Sequence, residues 1–208
     1  MKPTKKLLVV GIAGIMGAGK STVARVFEEL GARLIDADTM GKAMLKDCGI
    51  KDAVIAAFGD GIRDERGEID TARLGRIAFE SPENVHRLDA LTREPLISRI
   101  KARIEELRAS AEVIVIDAAL LPEWDAKPWL DILIVVDSEE DRSAGRLGGE
   151  GRFNESDIRA RMKHQFPRSK KAAYADVVVP NYGSLDDLKA RARALFWTLR
   201  GIDTKESS

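Results

Sequence analysis

The stretch that decides the fold is Gly14-Ile15-Met16-Gly17-Ala18-Gly19-Lys20-Ser21, which matches the pattern G-x-x-x-x-G-K-[ST]. The residues before it, 7–13, form a short apolar run with β-branched side chains, which predicts a buried strand. Residues 21–30 place apolar side chains on one helical face. The glycines allow the loop to curl so that backbone N–H groups point at phosphate oxygens, and the following helix N-terminus favours an anion. The sequence therefore predicts a site for a nucleoside triphosphate.

Single residues of this loop have predicted roles in binding ATP and Mg²⁺. Lys20 is expected to reach the β- and γ-phosphates, and the Ser21 hydroxyl is expected to ligate Mg²⁺. The predicted nucleotide-binding residues of the loop are Gly14, Met16, Gly17, Ala18, Gly19, Lys20, Ser21 and Thr22. The alternative is a glycine-rich turn between a strand and a helix with an incidental lysine. A dinucleotide-binding loop fits less well because the G-x-G-x-x-G spacing is absent.

Apolar runs recur along the chain and predict the strands of one sheet. They are residues 7–13, 32–35, 113–116, 132–136 and 177–179. Because unbroken apolar strands alternate with helical patterns, we expect an α/β fold of the P-loop type. Its parallel sheet should carry helices on both faces.

Between the second and third strands the chain is longer than a crossover connection needs. Residues 39–110 therefore predict a helical insertion, called the insertion below, in which Pro95 is expected to break or kink a helix. Residues 1–38 and 111–200 form the predicted nucleotide-binding core. Residues 201–208 are polar and are expected to form a disordered tail.

Composition narrows the class of protein. The chain has 208 residues, 44% hydrophobic and 33% charged, with 34 basic and 34 acidic side chains. This balance is typical of a globular protein and gives no global argument for binding nucleic acid or a membrane surface. Cys48 is the only cysteine, so an internal disulfide framework is excluded and a reducing, cytoplasmic location is expected. The apolar N-terminal run imitates a signal peptide, but the predicted strand and phosphate loop explain it better.

Carboxylates follow several of the predicted strands. Asp36 and Asp38 come after the second strand, and Asp117 comes after the third. Ligands of such sheets lie outside the carboxyl ends of the strands, so these side chains are expected near the phosphate loop. Asp38 is a candidate to accept the proton of an attacking hydroxyl, and equally a candidate to cap the following helix. Asp117 is either a Mg²⁺ ligand or an ordinary polar residue that closes a buried strand.

Residues 142–171 contain nine lysines and arginines against three acids. Residues 147–151 are glycine-rich and divide the stretch into two helical arms, which predicts a lid within about residues 139–172. Such a lid would close over the phosphates and exclude water, which competes with an acceptor for the phosphoryl group. Arg146 is the first candidate to stabilise transition-state charge. The alternative is a solvated basic face. Asp137 ends a strand and is assigned no chemical role; the acidic run 138–141 that follows it is interpreted as a helix N-terminus with favourable charges.

Together these motifs resemble the dephospho-coenzyme A kinase family of P-loop kinases over roughly residues 7–190. The matching segments are Gly17-Ala18-Gly19-Lys20-Ser21-Thr22, Leu34-Ile35-Asp36-Ala37-Asp38, Phe58-Gly59, Asp117-Ala118-Ala119-Leu120-Leu121-Pro122-Glu123, and the spaced residues Gln165, Lys171, Asn181 and Gly183. The chain differs from the family pattern at Glu94, where histidine is usual, and at Ala119 and Pro122. It also has Glu150 where a second lid arginine is common.

The resemblance implies transfer of the ATP γ-phosphoryl group to the ribose 3′-hydroxyl of dephospho-coenzyme A, the last step of coenzyme A biosynthesis, with ATP and Mg²⁺. It implies that Asp38 is the base, that Lys20 and Arg146 stabilise charge, and that Asn181 lies near the adenine. The insertion would hold the acceptor. Two alternatives stay open: another small-molecule P-loop kinase, such as a nucleoside monophosphate kinase, and a catalytically impaired, ATP-binding regulatory protein. We expect a monomer or small homo-oligomer, with no nucleic-acid or membrane partner.

Overall fold

A five-stranded parallel sheet organises the residues that the computed structural model describes, 7–149 and 155–205. The strands are β1 (Leu8–Ala13), β2 (Arg33–Asp36), β3 (Val113–Asp117), β4 (Ile132–Asp137) and β5 (Val177–Pro180). Their order is β2-β3-β1-β4-β5, so β1 lies at the centre between β3 and β4. The predicted parallel α/β fold is confirmed. The phosphate loop leaves the central strand at the carboxyl edge of the sheet.

Helices connect the strands and cover both faces. The helices are α1 (Lys20–Glu29), α2 (Ala37–Met44), α3 (Cys48–Phe58), α4 (Thr71–Ala78), α5 (Pro82–Leu107), α6 (Glu140–Gly149), α7 (Glu155–Lys163), α8 (Arg168–Tyr174) and α9 (Leu185–Lys205). Short 3₁₀ turns lie at Asp60–Ile62 and Lys127–Trp129. Within the described residues, no helix has the length and apolar character that a membrane crossing demands.

Three hydrophobic clusters hold these layers together. On one face of the sheet α1 and α9 pack with the strands, and the rings of Phe27 and Phe196 meet edge to face with centroids 5.2 Å apart. On the other face Ile100 and Ile104 of α5 pack against β1, β3 and β4. A separate cluster around Val54, Ile55, Ile62 and Leu74 lies within the insertion. The insertion therefore has a small core of its own beside the sheet.

Three elements differ in extent from the sequence prediction. The helix α2 begins at Ala37 because Asp36 caps it, accepting hydrogen bonds from Thr39 N at 3.0 Å and Thr39 Oγ1 at 2.9 Å. The helix α5 continues through Pro95, which has no N–H to donate, because its apolar face is buried in the core. The helix α9 extends through Lys205, into the predicted tail. The only break signal there is Gly201, and one glycine costs a helix only about 1 kcal/mol.

Candidate active site

The loop between β1 and α1 is tightly curled. Gly14 and Gly19 have φ angles of +154° and +99°, which favour glycine, and a Cβ at Gly14 would lie 2.6 Å from the Val136 carbonyl oxygen. Within the loop, Ala18 N donates to Ile15 O at 3.0 Å. Gly19 is the N-cap of α1 and has no side chain to cap the helix. The first N–H groups of α1 are therefore open to an anion, as phosphate binding requires.

Lys20 and Asp117 meet at the carboxyl edge of the sheet. Lys20 Nζ lies 3.4 Å from Asp117 Oδ1, and the side chains are only 14% and 9% exposed. Asp117 ends β3 and stands in register with Asp36 on the neighbouring strand. Burial raises the pKa of the Asp117 carboxyl above its usual value, while the Lys20 ammonium group and a hydrogen bond with Ser21 act in the opposite direction. Lys20, Ser21 and Asp117 therefore surround one point beside the loop.

The oxygens of Ser21 and Asp117 fit a Mg²⁺ ion. Asp117 Oδ1 is buried and pairs with the Lys20 ammonium group at 3.4 Å but accepts no hydrogen bond. A buried carboxylate oxygen without a hydrogen bond is uncommon unless a ligand or ion also contacts it. Mg²⁺ is usually held by one or two carboxylates together with substrate phosphates and water. Among residues 7–149 and 155–205 no cluster of three or more His, Cys, Asp or Glu side chains could hold a metal, so a cation here would need the nucleotide's oxygens as further ligands.

Asp38 lies in the first turn of α2 and is exposed. It follows Asp36, which is in register with Asp117, so Asp38 lies at the same carboxyl edge of the sheet as Asp117. The sequence left Asp38 with two alternative roles, base or helix cap. Asp36 takes the capping role, because its side chain accepts from the backbone of α2. Asp38 is therefore not needed as the cap of α2, and its role as the base stays a prediction.

Asn181 lies directly beneath the phosphate loop. It is 5% exposed, and its side-chain Nδ2 donates to Ala18 O at 2.8 Å. A Cβ on Gly19 would lie 2.7 Å from the same Nδ2, so the loop passes very close to this amide. The contacts of Asn181 are thus with the loop itself. Its proximity to the adenine, which the resemblance implies, stays a prediction.

Two cations that the sequence counted in the basic lid have structural partners instead. Lys171 is buried, with 1% of its side chain exposed. Its Nζ donates to Ala119 O at 2.7 Å and to Glu123 Oε1 at 2.6 Å. Burial lowers the pKa of Lys171, and the Glu123 carboxylate opposes that effect. Arg168 makes two hydrogen bonds to Asp137, one of them at 2.8 Å.

The acidic run after Asp137 begins α6, as predicted, with Glu140 and Asp141 in the first turn, and Asp137 itself binds Arg168. Both Arg168 and the Tyr182 hydroxyl donate to the Asp137 carboxylate. Hydrogen bonding from Arg168 is the main cause that lowers the pKa of Asp137. The end of β4 therefore anchors the first residue of α8. Because that pairing spans 31 residues, no local pattern in the sequence marks it.

The predicted lid consists of helical arms on either side of residues 150–154. Arg142 of α6 pairs with Glu139 at 3.1 Å, and Arg159 of α7 lies 3.7 Å from Asp141, which links the two arms. Arg146 belongs to α6, but its side chain lies outside the described part of the chain, as does the residue Glu150. The predicted role of Arg146 therefore stays a prediction.

Comparison with known proteins assigns the chain to a family. The family model described as dephospho-CoA kinase matches residues 8–187. The chain belongs to the dephospho-CoA kinase family. A dephospho-CoA kinase of Leptospira interrogans is 33% identical over 198 residues, 95% of each chain, and one of Geobacter metallireducens is 36% identical over 193 residues, 91% of this chain and 96% of that one. The structure of a dephospho-CoA kinase from Campylobacter jejuni has a TM-score of 0.67 at 20% identity, covering 95% of this chain and 98% of that one, and shares the fold.

Membership of the dephospho-CoA kinase family makes the chain an ATP-dependent phosphotransferase. The structure brings Lys20 and Asp117 into contact and places Ser21 and Asp38 at the same edge of the sheet. It adds a contact that sequence reasoning missed: Met16 N donates to Gln165 Oε1 at 3.1 Å. The resemblance to the family marks Gln165 by its spacing in the sequence. Spacing alone, however, does not show that Gln165 contacts Met16.

Proposed function

We propose that this chain transfers the γ-phosphoryl group of ATP to the ribose 3′-hydroxyl of dephospho-coenzyme A. The observation that carries the proposal is the grouping of Lys20, Asp117 and Asp38 around one end of a phosphate-binding loop. Family membership supports the choice of donor and acceptor. The insertion, with its own hydrophobic cluster, would hold the acceptor opposite the nucleotide. The acceptor is the one after which the related kinases of Leptospira interrogans and Geobacter metallireducens are named.

In the proposed reaction the 3′-hydroxyl oxygen attacks the γ-phosphorus while the bond to the β,γ-bridging oxygen breaks and ADP leaves. Asp38 accepts the hydroxyl proton as the new bond forms. The transition state of phosphoryl transfer is loose, so the protein contributes mainly position and positive charge. Lys20 supplies that charge from the loop, and Arg146 would add to it from α6. Mg²⁺, held by Ser21 and Asp117, would neutralise charge on the phosphate oxygens when bound with ATP.

In this proposal the lid arms, the loop backbone and Asn181 surround the bound nucleotide. The lid arms would close over ATP and exclude water, so that the phosphoryl group passes to the acceptor and is not hydrolysed. The backbone of the loop would hold the phosphates, and Asn181 would lie near the adenine as well as beneath the loop. We also infer a cytoplasmic monomer or small homo-oligomer with no nucleic-acid or membrane partner, in keeping with the balanced charge and single cysteine.

The test is ADP release from ATP and Mg²⁺ with and without dephospho-coenzyme A, in the wild type and in Asp38→Asn. Loss of a general base lowers kcat by about 10²- to 10⁴-fold. The KM for ATP should change little, because Asp38 does not belong to the phosphate loop. Asp52→Asn, an exposed aspartate on α3, is the matched control and should behave like the wild type.

Each alternative predicts a different result in the same assay. Turnover with a nucleoside monophosphate in place of dephospho-coenzyme A would indicate another small-molecule kinase. Tight ATP binding without any acceptor-dependent ADP release would indicate the impaired regulatory protein. An Asp38→Asn variant with wild-type kcat would show that another group handles the hydroxyl proton.

A further inference from the structure

One side chain of the lid region reaches back to the phosphate loop. Gln165 lies between α7 and α8, in the segment we call the return arm, residues 155–174. Its Oε1 accepts from the backbone N–H of Met16 at 3.1 Å, across 149 residues of sequence. A backbone N–H can bond only to the carbonyl oxygen of the amide, so this contact also fixes the orientation of the Gln165 side chain.

The backbone beside Gln165 is itself fixed to the sheet. Phe166 N donates to Glu123 Oε1 at 2.7 Å. The same oxygen accepts from Lys171 Nζ at 2.6 Å, and Lys171 also donates to Ala119 O at 2.7 Å. Ala119 and Glu123 follow β3, the strand that ends in Asp117. The backbone beside Gln165 is therefore held by a hydrogen-bond network that connects it to the residues just after β3.

The loop is held from a second side by Asn181. Its Nδ2 donates to Ala18 O at 2.8 Å, while Gln165 accepts from Met16 N. The two contacts flank Gly17, whose φ of +77° favours glycine. A loop held in its binding conformation before the ligand arrives loses less entropy on binding. Removal of either contact should therefore weaken the affinity for phosphate groups.

We infer that Gln165 is a positioning residue that holds the phosphate loop in its ATP-binding curl and ties the return arm of the lid to that loop. The inference rests on the proposed function insofar as it concerns the same ATP site. Gln165 acts through Met16 and Gly17, and it does not need to touch the transferred group. A contact of purely structural importance would change stability alone, whereas this one should change ATP affinity in the folded protein.

The experiment compares three variants of the full chain. Gln165→Met keeps the length of the side chain but removes the acceptor, and Gln165→Glu keeps the acceptor but adds a negative charge. Ser169→Ala, an exposed site on α8, is the control. ATP binding with Mg²⁺ is measured by calorimetry without any acceptor, and exchange of the Met16 amide hydrogen is measured without nucleotide.

We expect Gln165→Met to weaken ATP binding by about 3- to 10-fold, the effect of one lost hydrogen bond, and to speed exchange of the Met16 amide. Gln165→Glu should leave that exchange slow but weaken ATP binding, with a loss that shrinks as salt is added. Ser169→Ala should match the wild type in both measurements. In turnover, the KM for ATP should rise in Gln165→Met while the KM for dephospho-coenzyme A stays constant.

Two results would overturn the inference. One is ATP affinity within twofold of the wild type in Gln165→Met. The other is unchanged Met16 exchange in Gln165→Met, which would mean that the contact does not protect the loop. Failure of the wild type to bind ATP would instead overturn the proposed function, and the exchange measurement would still decide whether Gln165 holds the loop.

Discussion

Replacing Lys171 by methionine should destabilise the protein by about 3 to 5 kcal/mol, the usual cost of a buried charge left without its partner. Lys171 is 1% exposed and its partner Glu123 is 14% exposed. Without the ammonium group, Glu123 Oε1 would keep only the bond from Phe166 N, and Glu123 Oε2 is already buried without a partner. Ala119 O would lose a donor as well. For a chain of this length the midpoint of thermal unfolding should fall by roughly 6 to 20 °C.

The assay is urea unfolding of the wild type, Lys171→Met, Glu123→Gln and the double variant. Glutamine in place of Glu123 keeps an oxygen for Phe166 N and removes the charge, so the double variant should be more stable than Lys171→Met alone. The control is Lys46→Met at an exposed site, where a change within about 0.5 kcal/mol is expected. A loss below about 1 kcal/mol in Lys171→Met, or no recovery in the double variant, would refute the reasoning from burial and pairing.

Three further predictions concern the ends of the strands and the loop. Without nucleotide, Asp117→Asn should gain stability relative to the wild type as the pH rises above about 3.8, because burial raises the pKa of the Asp117 carboxyl and so disfavours its charged form in the folded protein. A stability difference that stays constant from acid to neutral pH in melting experiments would contradict this. Asp137→Asn should show the opposite pH dependence, because the hydrogen bond from Arg168 lowers the pKa of Asp137. The variant should be less stable than the wild type at pH 7 and should approach it as the pH falls below 3.8. Melting curves of the two variants, measured side by side, test the sign. Gly19→Ala should lose most ATP binding in calorimetry, because φ is +99° and the new methyl would lie 2.7 Å from Asn181 Nδ2; near-normal affinity would show that the loop can relax.

The site residues that the sequence predicted are marked by patterns of neighbouring residues in the chain. The glycines, Lys20 and Ser21 lie within eight consecutive residues, and the pattern itself states which strand and helix must flank them. Asp117 ends an apolar run, and adjacent parallel strands end at the same edge of the sheet. The choice between Asp36 and Asp38 as helix cap was not available from sequence. Both are good caps, and a helix start is uncertain by one or two residues without coordinates.

The parts that sequence could not supply depend on contacts between distant segments. The sequence counts Lys171 in the basic lid because its neighbours are basic, yet its partner Glu123 lies 48 residues earlier and the lysine is buried. Similarly, the sequence assigns Asp137 no role beyond ending a strand, although Arg168 binds it from 31 residues away. Charge counting assumes that each cation faces solvent, and it fails wherever a lysine or arginine anchors one segment to another. Fewer lid cations are therefore available to phosphate than the composition suggests.

The two side chains that hold the phosphate loop are both amides, and electrostatics explains that choice. An aspartate in place of Asn181 could not donate to Ala18 O. A glutamate in place of Gln165 could accept from Met16 N but would set a negative charge beside the triphosphate. A lysine at either position would add a positive charge beside the loop. An amide group offers a donor and an acceptor without net charge. The loop is thereby fixed in shape by two neutral groups, which leave the charge of the Lys20–Asp117 pair beside it unchanged.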